Sequence, residues 1–236
     1  MSFFKASKKK EDVQQGGSNH INSSGVYPVT ILAPVVSVSK GGSTSVDMFI
    51  EHQGQKQMIY GNLRITNNDG SPNKIGAKVF NQLLIIAGLD SVDDPVEVDL
   101  PIGKNEEMKT VNALEDLADI EVLMRVQMEY SVWKGDIKEK KVIKGFYRAE
   151  DKATAEEIVN GDEGGKGYER DEKYFNNVTY NDGTTPEIIE QWIKDKRPEG
   201  TAPSGDESGS SAPKKKAPTF GKKKRFGQKA EESTEE

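Results

Sequence analysis

KQMIYGNLRITNNDGSPNKIGAKVFNQLLIIAGLD, residues 56–90, changes its apolar period halfway along, and the place of that change selects the fold. Up to Thr66 the period is two. Ile59, Leu63 and Ile65 point one way and Lys56, Met58, Tyr60 and Arg64 the other, which is a strand with one buried face. NNDGSPN is turn chemistry. From Asn73 onward Ile75, Val79, Leu83 and Ile86 recur every three or four residues, with Phe80 and Leu84 beside them. That spacing predicts an amphipathic helix over 73–87, capped by Asn73 and stopped at Gly88.

Working upstream, STSVDMFIEH (43–52) reads as a strand joined by a tight QGQ turn, and GVYPVTILAPVVSVSKGG (25–42) as a longer one. Pro28 and Pro34 remove ladder donors from one side of it, which predicts an edge or a bulge. Downstream, 90–118 is irregular, with a short strand in SVDDPVEVDLPIG and a helical turn or two in VNALEDLAD. IEVLMRVQMEYSVW (120–133) and KEKKVIKGFYRAE (138–150) are two strands linked by the glycine-bearing turn KGDI. Three strands, a helix and two strands is the order of an OB-fold, a partly open five-stranded barrel with a helix between strands 3 and 4. An SH3-like barrel or an unclassified β-sandwich satisfies much of the same pattern, and a compact barrel has no need of the 90–118 insertion.

The rest of the chain is organised around that mainly β body. Residues 1–23 read as a flexible N-terminal arm, 24–150 as the OB-like barrel, 151–197 as a helical and loop extension packed on it, and 198–236 as a disordered charged tail. In the extension, KATAEEIVNG is a short helix and GDEGGKG a loop. TPEIIEQWIKDKRPEG is a helix that starts at Pro186 and ends before Pro198. Cysteine is absent, so disulfides and thiolate metal sites are excluded, and with only His20 and His52 a histidine-built metal site is not expected. No cofactor is expected. The N-terminus lacks the apolar core of a signal peptide and no window approaches eighteen apolar residues, which predicts a soluble protein with no membrane partner.

Net charge is −6 but unevenly placed. Residues 1–23 carry four basic and two acidic groups and 197–236 nine and seven, leaving 20 basic against 30 acidic in the body. A body acidic by ten does not grip a duplex over its whole surface. Local clusters matter more. Alternation sends Val122, Met124, Val126, Met128 and Tyr130 inward, with Arg125, Gln127 and Trp133 outward. On the next strand Ile143 and Tyr147 read as inward, and Lys140, Lys144, Phe146 and Arg148 as outward. Lys56, Tyr60 and Arg64 then join Arg125, Trp133, Lys140, Lys144, Phe146 and Arg148 on one outer face, and Phe49 is a further candidate for it. Single-strand binders use this mixture, because rings stack on any base while cations follow the phosphates. In the tail, KKKAPTFG and GKKKRFG place Phe220 and Phe226 beside lysine clusters, so Lys222, Lys223, Lys224 and Arg225 have the chemistry of a second contact.

Catalysis has little support. DSVDDP and NGDEGG are loop clusters without metal or glycosidase spacing, and no GxxxxGK[ST], GxSxG or HExxH occurs. The opening Gly25-x-Tyr27 followed by VTILAP, the SKGG turn and the helix before a Gly-Leu stop are similar to a family of small bacteriophage proteins encoded among replication and recombination genes. The whole, over residues 24–150 with its charged tail, resembles bacteriophage-encoded single-stranded-DNA-binding proteins with an OB core. That resemblance implies sequence-tolerant cover of single strands in replication, recombination or repair in the bacterial host cytoplasm. It further implies an acidic tip that docks replication or recombination proteins. The terminal EESTEE departs from it, lacking an aromatic end and following lysines. Oligomeric state is left open. A structural or adaptor protein, and a small carboxylate-dependent hydrolase or nuclease, are the competing readings.

Overall fold

The computed structural model describes residues 19–102 and 106–196. In chain order the elements are β1 (Gly25–Val38), β2 (Thr44–His52), β3 (Gln55–Arg64), α1 (Lys74–Ala87), β4 (Val96–Pro101) and β5 (Met108–Ala113). A 3-10 turn at Glu115–Leu117 leads to β6 (Ile120–Trp133) and β7 (Asp136–Arg148). Then come α2 (Ala155–Asn160), α3 (Lys166–Glu172), β8 (Thr179–Tyr180) and α4 (Pro186–Lys196). The protein is mainly β, built on an eight-stranded sheet that is antiparallel except for the β6–β8 pair.

β1 organises the sheet. One edge pairs with β2 from Thr30 to Val38, and the other pairs first with β6 and then, at Val35 and Val36, with β5. It is therefore central, and the alternative of an edge strand does not hold. Both prolines fit because a strand residue sends its N–H and C=O to the same side. The Pro28 carbonyl accepts from His52 Nδ1 at 2.8 Å, at a level where β2 no longer pairs with β1. The Pro34 carbonyl accepts from the Leu114 N–H at 3.0 Å, in the gap between β5 and β6. Neither absent donor costs a ladder bond. The ladder to β2 shifts register between Ile31 and Ala33, so the bulge expected from the prolines lies between them.

The path β3-β2-β1-β6-β7 curls around the main core, which holds Ile31, Met48, Ile50, Ile59, Val122 and Met124. β3 and β7 approach one another, and α1 packs against both. No ladder joins them among the described residues, so the sheet remains open. Asn73 caps α1 by accepting from the Gly76 N–H at 3.1 Å, and Gly88 ends it in the left-handed conformation, as the sequence predicts. The buried stripe runs through Gly76, Val79, Leu83 and Ala87 rather than through Ile75, which is exposed. Gly76 is where the helix crosses the strand: a Cβ there would run into the Arg64 backbone.

Three findings depart from the sequence reading. Ile21, placed in the flexible arm, is buried in the main core, and its N–H donates to Gln57 Oε1 at 3.1 Å. The 90–118 insertion forms the β4–β5 hairpin, and the end of VNALEDLAD contributes only a 3-10 turn. That hairpin covers the outer side of β1 and β2 with a second small core of Ala33, Val35, Phe49, Leu100 and Ala113. Phe49 is thus buried beneath it and does not join an open face. Residues 1–18 and the charged tail lie outside the described residues.

Candidate nucleic-acid interface

The expected single face divides into two open patches and a covered middle. The first patch is on β3. Its ladder with β2 pairs Met48 with Ile59 and Val46 with Leu63, so Tyr60, Gly61 and Asn62 oppose Asp47 alone. Such a bulge bends the strand and re-aims side chains. Tyr60 is 60% exposed, with Lys56 and Arg64 exposed on the same strand, while Ile59 and Leu63 enter the core.

The second patch is the tip of the β6–β7 hairpin. β1 begins opposite Val126, so beyond that point β6 and β7 project as an arm. Lys134 and Gly135 both have positive φ, the geometry of a two-residue hairpin turn that glycine makes inexpensive. Ladder partners place Glu129, Ser131 and Trp133 on one face of the arm with Lys140, Lys138 and Asp136. Trp133 is 64% exposed, and Lys134 Nζ lies 5.8 Å from its ring centroid. Lys138 and Lys140 are exposed, the former 3.5 Å from Asp136. An ion pair that exposed contributes little and yields readily to a phosphate. Lys144 is more engaged, its Nζ 2.9 Å from Glu129 Oε1 with both partly buried.

The covered middle corrects the alternation of β7. Arg125 pairs with Gly145 but Val126 pairs with Ile143, so Lys144 is an extra residue in the strand. This bulge reverses the phase of everything after it. Phe146, expected outside, is 3% exposed in the main core opposite Met124. Tyr147 is buried as expected, at 3% exposure, but on the outer side of β7, beneath α3 and the turn after it. Its ring meets Tyr168 at 5.1 Å and Phe175 at 5.9 Å, and its hydroxyl donates to Asp171 Oδ2 at 3.2 Å. Burial, reinforced by the Asp171 charge, pushes the Tyr147 hydroxyl up to about 12.

The cations of this region serve the extension. Arg125 lies 5.7 Å over the Phe175 ring and donates to the Tyr174 carbonyl at 3.3 Å, while its buried Nε has no hydrogen-bond partner among the described residues. Arg148 grips Asp151 with two nitrogens, holding that carboxyl down at about 2. Asp151 also accepts from the Ala153 N–H at 3.1 Å, which shapes the turn into α2. Farther on, burial pushes the Glu157 carboxyl up, but the Thr154 and Gly167 N–H donors outweigh it and leave it below its ordinary value. That carboxylate closes a capping box on α2 and ties it to α3.

Tyr60, Trp133, Lys56, Arg64 and Lys140 are therefore exposed, Arg125, Lys144 and Arg148 are engaged within the protein, and Phe146 is core. Lys222, Lys223, Lys224 and Arg225 lie outside the described residues. Sequence reasoning passed over Lys134 as a turn residue, although a lysine directly after an exposed tryptophan was a readable signal. It had no signal for Lys152 over Tyr168 or Lys173 over Tyr174, at 4.7 and 4.9 Å, because α3 was not anticipated. Among the described residues no three His, Asp or Glu side chains converge on a point that could hold a metal, and no helix is long and apolar enough to cross a membrane. No protein-family model and no curated protein matches the chain.

Proposed function

We propose that this protein binds single-stranded DNA with little base preference, on an OB-like core. The strands of the path β3-β2-β1-β6-β7, with α1 between the third and fourth of them in chain order, follow the OB sequence of elements. In OB-folds, oligonucleotides lie on the second and third strands and against the loops joining strands 1–2 and 4–5. Tyr60 with Lys56 and Arg64 occupies β3, the third of these strands in chain order, and Trp133 with Lys134 lies at the turn between the fourth and fifth.

The observation that carries the reading is the coincidence of two exposed rings, each flanked by exposed cations, at those two places. A ring of either kind accepts any unstacked base, for about 1–3 kcal/mol per base. A duplex offers no such base, and the acidic body disfavours broad duplex contact. Lys222, Lys223, Lys224 and Arg225, with Phe220 and Phe226, supply a further set of the same chemistry. A role in phage replication, recombination or repair in a bacterial host, with enzymes of those processes as partners, rests on the sequence resemblance.

Fluorescence anisotropy with labelled oligo-dT and with a duplex of equal length tests the proposal. The single strand should bind tighter, and its affinity should fall as salt rises because bound cations are released from the phosphates. Equal affinities at moderate salt, or no binding to either, overturn it.

A further inference from the structure

An isolated two-stranded ribbon is marginally stable in water, yet the β6–β7 arm projects beyond the end of β1. Its base is held from several directions. Ser24 Oγ accepts from the Met128 N–H at 2.9 Å, directly past the last β1 pair. β8 then takes over the vacated edge of β6, pairing in parallel with Glu129 and Tyr130. The Tyr130 carbonyl accepts both the Asn181 N–H at 2.8 Å and the Thr184 hydroxyl at 3.3 Å. α4 covers the face opposite Trp133, with Ile189, Trp192 and Ile193 around Met128, Tyr130 and Ile137. The Tyr130 ring stacks on Tyr180 at 6.1 Å and meets Trp192 edge-on at 6.3 Å.

We infer that β8 and α4 form a brace that holds the β6–β7 arm in its binding-competent orientation, with Trp192 as the positioning residue. The inference rests on the proposed single-strand reading for the ligand, but the bracing itself concerns only the protein. Trp192 belongs to the arm face turned away from Trp133 and touches no base or phosphate in this scheme. Its work is to remove in advance the freedom that a loose ribbon would lose on binding.

The test compares Trp192→Ala and Trp192→Phe with the full-length parent by amide hydrogen exchange and by oligo-dT dissociation. Trp192→Ala should speed exchange in residues 128–141 by about tenfold while leaving β1 and β2 unchanged. Dissociation should quicken by about three- to tenfold with the salt slope unaltered, since no phosphate contact is removed. Trp192→Phe, which keeps an edge-on ring, should restore most of both. Unchanged exchange in the arm overturns the brace, as does faster exchange throughout β1 and β2, which would make α4 part of one cooperative core. A loosened arm with parental dissociation overturns the positioning role. Trp133→Ala separates the two readings: if it too leaves oligo-dT binding untouched while Trp192→Ala loosens the arm, the binding proposal fails and the bracing contact stands.

Discussion

Ile143 and Phe146 stand three residues apart on β7 and enter the same core, because Lys144 is bulged out between them. A strand that alternated without interruption would send them to opposite faces. Lys144, displaced outward, meets Glu129 across the ribbon. The bulge also frees Tyr147 to anchor the extension through Tyr168, Phe175 and Asp171.

Phe146→Ala should behave as a core truncation. The expected loss is about 3–5 kcal/mol of stability, read as a lower urea midpoint with little change in slope. Oligo-dT affinity of the folded fraction should be that of the parent. A stable variant with weakened binding would return Phe146 to the surface.

Trp133→Ala should do the reverse. An exposed tip residue away from the core changes stability by no more than about 0.5 kcal/mol. Loss of a stacking ring should weaken oligo-dT binding by about 1–3 kcal/mol. Tyr60→Ala is expected to follow the same pattern from the other patch, and anisotropy beside thermal melting checks both.

Gly76→Ala sets two effects against each other. Helix propensity alone would favour alanine by about 1 kcal/mol. The new methyl would collide with the Arg64 backbone, and overpacking against main chain costs about 1–3 kcal/mol or more. The collision should win, giving a destabilised protein in chemical denaturation. A stabilised variant would mean that α1 and β3 can separate enough at Gly76 to admit a methyl group.

Asp151 links stability to acid. Its carboxyl is held at about 2 by Arg148, below the ordinary 3.8. A carboxyl with a depressed folded value stabilises the fold above the ordinary value and loses that contribution as pH falls toward the folded one. The parent should therefore lose stability between about pH 4 and pH 2 more steeply than Asp151→Asn. Urea midpoints across that window make the comparison, and parallel curves would show that the Arg148 grip does not matter in solution.

A chain ending at Lys196 lacks nine basic residues. If some of them neutralise phosphates, the slope of log affinity against log salt should become shallower while measurable oligo-dT binding persists. An unchanged slope would assign those lysines to another task.

Local rules made much of the fold legible in the sequence. The switch of period after Thr66 located α1, and Asn73 and Gly88 marked its ends because capping is decided within one turn. Alternation along β6 was read correctly from Val122 to Tyr130, since no bulge displaces its own side chains. The exposure of Tyr60 and Trp133 followed from the same rule.

What alternation could not contain was the behaviour of partner strands. The bulge at Lys144 arises in the pairing of β7 with β6, and it moved Phe146 and Tyr147 to faces that β7 alone does not specify. Burial of Phe49 needed a hairpin that follows it by some fifty residues, and α3, held by Glu157 and by the rings around Tyr147, has little apolar pattern of its own. The sequence by itself determined the five strands around the main core, the main helix and the types of side chain available for binding, because period and caps are local. The tertiary structure alone decided which rings and cations remain open, because exposure depends on what arrives from elsewhere in the chain to cover them.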